Sequence, residues 1–123
     1  MKPAKLKEMS SDELVRRFAA ICTSQDEALL YSELAKFNQL YKAMRAVEDE
    51  LKSRPGDQRR ALLALYDHSN AQVRLQSAGA TLAVAPDAAR ALIETIARSR
   101  KFPQAGDAGM LLDALERGEL KPR

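Results

Sequence analysis

Apolar side chains recur along this chain at steps of three and four, the spacing that lines one face of an α-helix. Leu14, Phe18 and Cys22, joined by Val15, Ala19 and Ile21, form the first such face. Ser10 and Glu13 sit where a capping box opens a helix, and Met9 and Leu14 are placed for a hydrophobic staple across it. The pattern predicts a helix ending near Thr23-Ser24. A longer stripe follows, Leu30, Leu34, Phe37, Tyr41, Met44, Val47 and Leu51, and predicts one helix from about Asp26 to Lys52. At 1.5 Å per residue it would be about 40 Å long.

Arg54-Pro55-Gly56-Asp57 breaks the periodicity, and shorter helices are expected beyond it. Asp57 is placed to cap one through Leu62, Leu63, Leu65 and Tyr66. The turn Asp67-His68-Ser69-Asn70 caps the next, which carries Val73, Ala78, Leu82 and Ala85. Ala85-Pro86-Asp87 starts a third with Leu92, Ile93, Ile96 and Ala97. Phe102 to Asp107 opens a last one with Met110, Leu111, Leu112 and Leu115, stopping at Gly118; Asp107 is its expected cap and Gly109 a point of close helix approach. Residues 1–9 read as a loose start, 10–53 as two helices and 57–118 as two helical hairpins, all in one domain of 123 residues.

The hairpins repeat weakly. Leu62, Leu63 and Tyr66 match Leu92, Ile93 and Ile96 at a spacing of 30, and Ala78 and Leu82 match Leu111 and Leu115 at 33. The segment from Leu62 to Ala78, with Asp67 in its turn and Val73-Arg74 at the start of its second helix, resembles a HEAT repeat. Thr81, beside Leu82, departs from that pattern. From Leu14 to Pro122, through Arg54-Pro55-Gly56-Asp57-Gln58-Arg59, Tyr66-Asp67-His68 and Gly106-Asp107-Ala108-Gly109-Met110, the chain is similar to a small bacterial family of HEAT-like proteins known as a domain of unknown function. The resemblance implies an all-α fold, a short α-solenoid (α-α superhelix) of five to six helices; it implies no activity and no catalytic residues.

Composition agrees with helix: 21 Ala and 17 Leu stand against ten Val, Ile and Thr. The longest apolar run, Ala61 to Tyr66, is far short of the roughly 20 residues that span a membrane. No secretory signal opens the sequence, and a single Cys22 with a single His68 makes neither an internal disulfide nor a closed zinc site. A reducing cytoplasm is the expected setting. The net charge of +3 is spread over both halves, with basic clusters at Lys52, Arg54, Arg59 and Arg60 and at Arg98, Arg100 and Lys101.

No set of nucleophile, base and orienting group emerges, so no catalytic residue, metal or cofactor is expected. His68 and Cys22 read as structural. Glu48-Asp49-Glu50 point about 100° apart on a helix and find a local partner in Arg45. Gly106-Asp107-Ala108-Gly109 lacks the lysine and the preceding strand of a phosphate loop. Arg74 is placed to tie turns together. The residues left for binding are Arg59 and Arg60 on a basic edge, with Arg74, Asn38 and Tyr41 as polar contacts. The leading expectation is a non-enzymatic module that binds an unidentified protein, or a second copy of itself as a homodimer. The alternative is nucleic-acid binding along the basic edge.

Overall fold

A computed structural model describes residues 5–123; the expectation for residues 1–4 lies outside the described residues. Every regular element among them is helical. The chain forms two compact units, divided in sequence between Ala61 and Leu62.

The first unit is a helical hairpin, α1 (Ser11–Leu30) and α2 (Leu34–Ser53). Ser10 opens α1 as expected: its hydroxyl accepts the Glu13 N–H at 3.1 Å, and the Glu13 carboxylate accepts the Ser10 N–H at 3.2 Å. Those two bonds pull the Glu13 carboxyl below the usual range. The boundary between the helices differs from expectation. α1 runs past Thr23-Ser24 to Leu30, and Tyr31-Ser32-Glu33 interrupts the single long helix expected from Asp26. Ser32 takes a left-handed conformation, φ +55°. Its N–H reaches the Leu29 carbonyl at 3.2 Å while the Glu33 N–H reaches the Ala28 carbonyl at 2.8 Å, a Schellman close. The signal was hidden because serine stands where glycine usually marks such an end.

Leu14, Phe18, Cys22 and Ala28 of α1 and Met44, Val47 and Leu51 of α2 are buried where the helices pack. Gln25, also buried, donates to the Met44 sulfur at 3.5 Å. The start expected to be loose holds a 3-10 turn at Leu6–Glu8. Arg54 fixes it, donating to the Leu6 carbonyl at 3.0 Å and the Met9 carbonyl at 2.6 Å.

Arg54 to Asp57 breaks the chain as expected, with Gly56 and Asp57 both at positive φ. The following segment, Gln58–Leu65, is a 3-10 helix rather than an α-helix. Asp57 still serves its start, its carboxylate accepting the Arg59 N–H at 3.3 Å.

The second unit contains α3 (Ala71–Ala80), α4 (Pro86–Arg98) and α5 (Gln104–Glu116). Asn70 caps α3 through the N–H groups of Gln72 and Val73, and Pro86 opens α4 at the position where a missing N–H costs nothing. α4 packs on both α3 and α5. Leu75, Ala78, Leu82, Ala89, Ile93, Ile96 and Ala108 form the core, with Tyr66, Leu92, Leu111, Leu112 and Leu115 around it. Two polar pairs are built into this unit. Buried Gln104 donates to buried Gln72 at 2.9 Å. The Thr81 hydroxyl lies 2.9 Å from the Ser77 carbonyl and 2.5 Å from the Tyr66 hydroxyl. A hydroxyl has one proton; Thr81 gives its own to the carbonyl, so Tyr66 is the donor between them.

Two expectations for α5 are corrected. Asp107 is not its cap but lies inside the first turn, because the helix begins at Gln104 after Pro103. Gly109 faces open space, so the close approaches are made by alanines, and Ala78, Ala89 and Ala108 are fully buried. Gly118 ends α5 as expected, at φ +71°, with the same pair of closing bonds that Ser32 makes for α1.

Candidate interaction surface

The turn at residues 31–33 changes the meaning of the long apolar stripe. Within α2 two rows separate at a spacing of seven. Phe37, Met44 and Leu51 run along the side packed on α1; Leu34 and Tyr41 run along a different side. Leu34 is 68% exposed and Tyr41 40%; at the end of α1, Leu30 is 76% exposed and Tyr31 66%. Four large apolar side chains thus gather at the hairpin tip and the start of α2, facing solvent. Hydrophobicity alone disguised Leu30 and Leu34, since they fit the stripe of one continuous helix; Tyr31 lies outside that stripe.

Asn38 and Tyr41 lie on this exposed side. Beyond them, Arg45 pairs with Glu48 at 3.8 Å, and that pairing favours its charged form. Burial pushes the Glu48 carboxyl above its ordinary range, and Arg45 partly offsets that. Glu48, Asp49 and Glu50 do not converge: Glu50 turns to Arg54 at 3.0 Å. Among the described residues no cluster of three His, Cys, Asp or Glu side chains is placed to hold a metal ion.

Half of the first basic cluster is committed internally. Arg59 is buried, its guanidinium forked onto Asp57 at 2.9 and 2.7 Å, which lowers the Asp57 carboxyl below its usual range. Arg54 is committed to Glu50 and to two backbone carbonyls. Arg60 and Lys52 are exposed. Arg74, half-buried in the second unit, donates to the His68 carbonyl at 2.7 Å and so ties α3 to the turn before it. His68 accepts the Asn70 N–H on Nδ1 at 3.0 Å. Cys22 is buried, and burial pushes its thiol up to about 12. Among the described residues no helix is long and apolar enough to cross a membrane.

Residues 12–116 match a family described as "Domain of unknown function (DUF2019)". The chain belongs to this family. Among solved structures, this DUF2019 chain is similar to the protein RPA1889 from Rhodopseudomonas palustris CGA009, a bacterial protein of 50% identity; the match covers 98% of this chain and 100% of that one at a TM-score of 0.95. No curated protein matches the sequence.

A second surface of the DUF2019 domain lies where α4 gives way to α5. Arg98, Arg100, Lys101 and Phe102 are all exposed, Phe102 by 72%. Met110, one turn beyond Gly106 along α5, is 66% exposed. The Phe102 ring lies over α5, so that a methyl group at Gly106 would meet it at 3.6 Å. The sequence pointed to the cations of this surface but not to its apolar members.

Proposed function

We propose that the protein is a non-enzymatic interaction module of HEAT-like helical-repeat type, binding another protein through the tip of the α1–α2 hairpin. The observation that carries the reading is the group of exposed apolar side chains at Leu30, Tyr31, Leu34 and Tyr41. Apolar residues scattered singly over a surface need no explanation, whereas a contiguous group marks a surface that is covered in use. Tyrosine and leucine there can form the water-excluded centre of an interface, with Asn38 and Arg45 on its polar rim. A standard interface buries about 800 Å² on each partner. Four large side chains supply its centre, and the exposed length of α2 supplies the remainder.

The repeat reading rests on the order of the helices, the 3-10 segment Gln58–Leu65 followed by α3 and then α4 followed by α5, and on the packing of α4 against α3 and α5. The non-enzymatic reading rests on the uses of the reactive side chains: His68 holds a backbone N–H, and Cys22 is enclosed with its thiol protonated. A lone buried thiol suits a reducing cytoplasm. Nucleic-acid binding through Arg59 loses support, because that guanidinium is buried against Asp57.

The test is co-purification from the native cell with mass spectrometry, comparing the wild type with Leu30→Ser/Leu34→Ser. The reading expects a stoichiometric partner, either another protein or a second copy, that the double variant loses while its urea midpoint stays unchanged. A monomer without a partner overturns it, as does a partner that the variant retains. Salt-steep binding of labelled duplex or single strands would replace it with the nucleic-acid reading.

A further inference from the structure

We propose that the α4–α5 junction is a second docking site, for a short acidic segment of a protein partner that also carries an apolar side chain. The inference concerns the second unit and stands whether or not the hairpin tip binds anything.

The first observation is uncompensated charge. Other arginines of this unit have partners: Arg90 meets Glu116, Arg117 meets Asp113 and Glu119, and Arg74 holds the His68 carbonyl. Arg98, Arg100 and Lys101, all exposed, make no side-chain hydrogen bond or ion pair among the described residues. The negative end of α4 accounts for Arg98, its last residue, but not for the two cations beyond the helix. Three like charges on four consecutive residues add their fields for an incoming carboxylate, an attraction that salt screens over a Debye length of about 8 Å.

The second observation is that this charge is presented on a fixed support beside an apolar ridge. The Ser99 hydroxyl donates to the Ile96 carbonyl at 2.6 Å and accepts the Lys101 N–H at 3.2 Å, and the Lys101 carbonyl accepts the Ala105 N–H at 2.9 Å. Arg100 itself holds a left-handed conformation, φ +60°, a place that glycine fills at the end of α5. Phe102 lies over Gly106, and Met110 continues the same side of α5.

The occupant follows from the combination. A nucleic acid would use the cations and stack one base on Phe102, but Met110 offers nothing to a phosphodiester, and Asp113 one turn further, paired with Arg117, adds no free cation. An anionic membrane pressed on this side would meet Asp107, an acid with no ion pair among the described residues, and the already neutralised pairs of Asp113 with Arg117 and Glu116 with Arg90. A short peptide can place its carboxylates against Arg98, Arg100 and Lys101, lay an apolar side chain along Phe102 and Met110, and avoid those acids.

Two pools of randomised 12-residue peptides test this with the full-length protein. One pool is built from Asp, Glu, Leu, Phe and Gly; in the other Asn and Gln replace the acids. The wild type is expected to retain the acidic pool at least fivefold over the neutral one, with retention falling as salt rises. Phe102→Ser should lower it at least threefold. Arg100→Gly should lower it similarly while unfolding at the same or higher temperature, because glycine suits the left-handed backbone; the loss is then of binding and not of folding. Equal retention of the two pools overturns the proposal. So does acidic-pool retention that survives Arg98→Glu/Arg100→Glu/Lys101→Glu. Stronger, Phe102-dependent binding of oligothymidylate or of phosphatidylserine vesicles overturns it in favour of those ligands.

Discussion

Single side chains carry much of this fold's specificity through hydrogen bonds that no periodicity reveals. Thr81 shows how. Its hydroxyl feeds the Ser77 carbonyl and receives the Tyr66 proton, in a place with no solvent exposure. Burial also raises the Tyr66 phenol above its usual range. Replacing Thr81 by the isosteric Val removes the acceptor and strands a half-buried phenol. We expect urea denaturation to register a loss of about 1–3 kcal/mol. Tyr66→Phe should cost less, since Thr81 keeps its carbonyl, and the double variant should fall short of the sum. Cys22 makes a pH prediction. Folding holds its thiol neutral up to about 12, against about 9 when exposed. Above pH 9 the unfolded chain therefore binds fewer protons than the native one, and stability must fall as pH rises, by at most about 1.4 kcal/mol per pH unit from this group. Unfolding measured from pH 8 to 11 should show a shallower decline in Cys22→Ala; an unchanged slope would place the titration elsewhere.

Helix starts were legible because their chemistry is local. Ser10 with Glu13, Asn70 and Pro86 announce α1, α3 and α4 by residue type, and each occupies its expected place. Ends were harder. Gly118 closes α5 with the same two backbone bonds that Ser32 makes for α1, yet only the glycine gave a readable signal. A serine at φ +55° carries strain of about 1–2 kcal/mol that glycine avoids. Ser32→Gly should accordingly raise stability by about 0.5–1 kcal/mol, after the extra freedom that glycine gives the unfolded chain is subtracted. A thermal melt checks it; a lower melting temperature would mean that the serine hydroxyl holds the turn. Asp107 misled in the opposite way, being a good cap residue placed one turn too deep. The 3-10 form of Gln58–Leu65 was hidden for another reason: its buried positions fall at strict steps of three, Arg59, Leu62 and Leu65, and the first is an arginine that an apolar pattern passes over.

At the scale of the whole molecule, membership of the DUF2019 family fixes what the chain is related to, and the surfaces bear on what it does. Of the residues singled out for binding, Arg59 and Arg74 are committed internally, while Arg60, Asn38 and Tyr41 remain on the outside. Among the apolar members of both proposed sites, Leu30 and Leu34 in one unit and Met110 in the other read as core because they fall in helical stripes, while Tyr31 and Phe102 stand outside any stripe and carried no signal at all. The two sites lie in different units, so substitutions in one leave the other as an internal control. By itself the sequence determined the all-helical class, the breaks at Pro55, Pro86 and Gly118 and most helix starts, because these depend on conformations and capping bonds within a few residues. Only the tertiary structure decided which apolar residues face inward and which arginines are still free to meet a partner. Burial and pairing join residues far apart in the chain: Arg54 reaches Met9, and one turn at Ser32 rotates half of an apolar stripe into solvent.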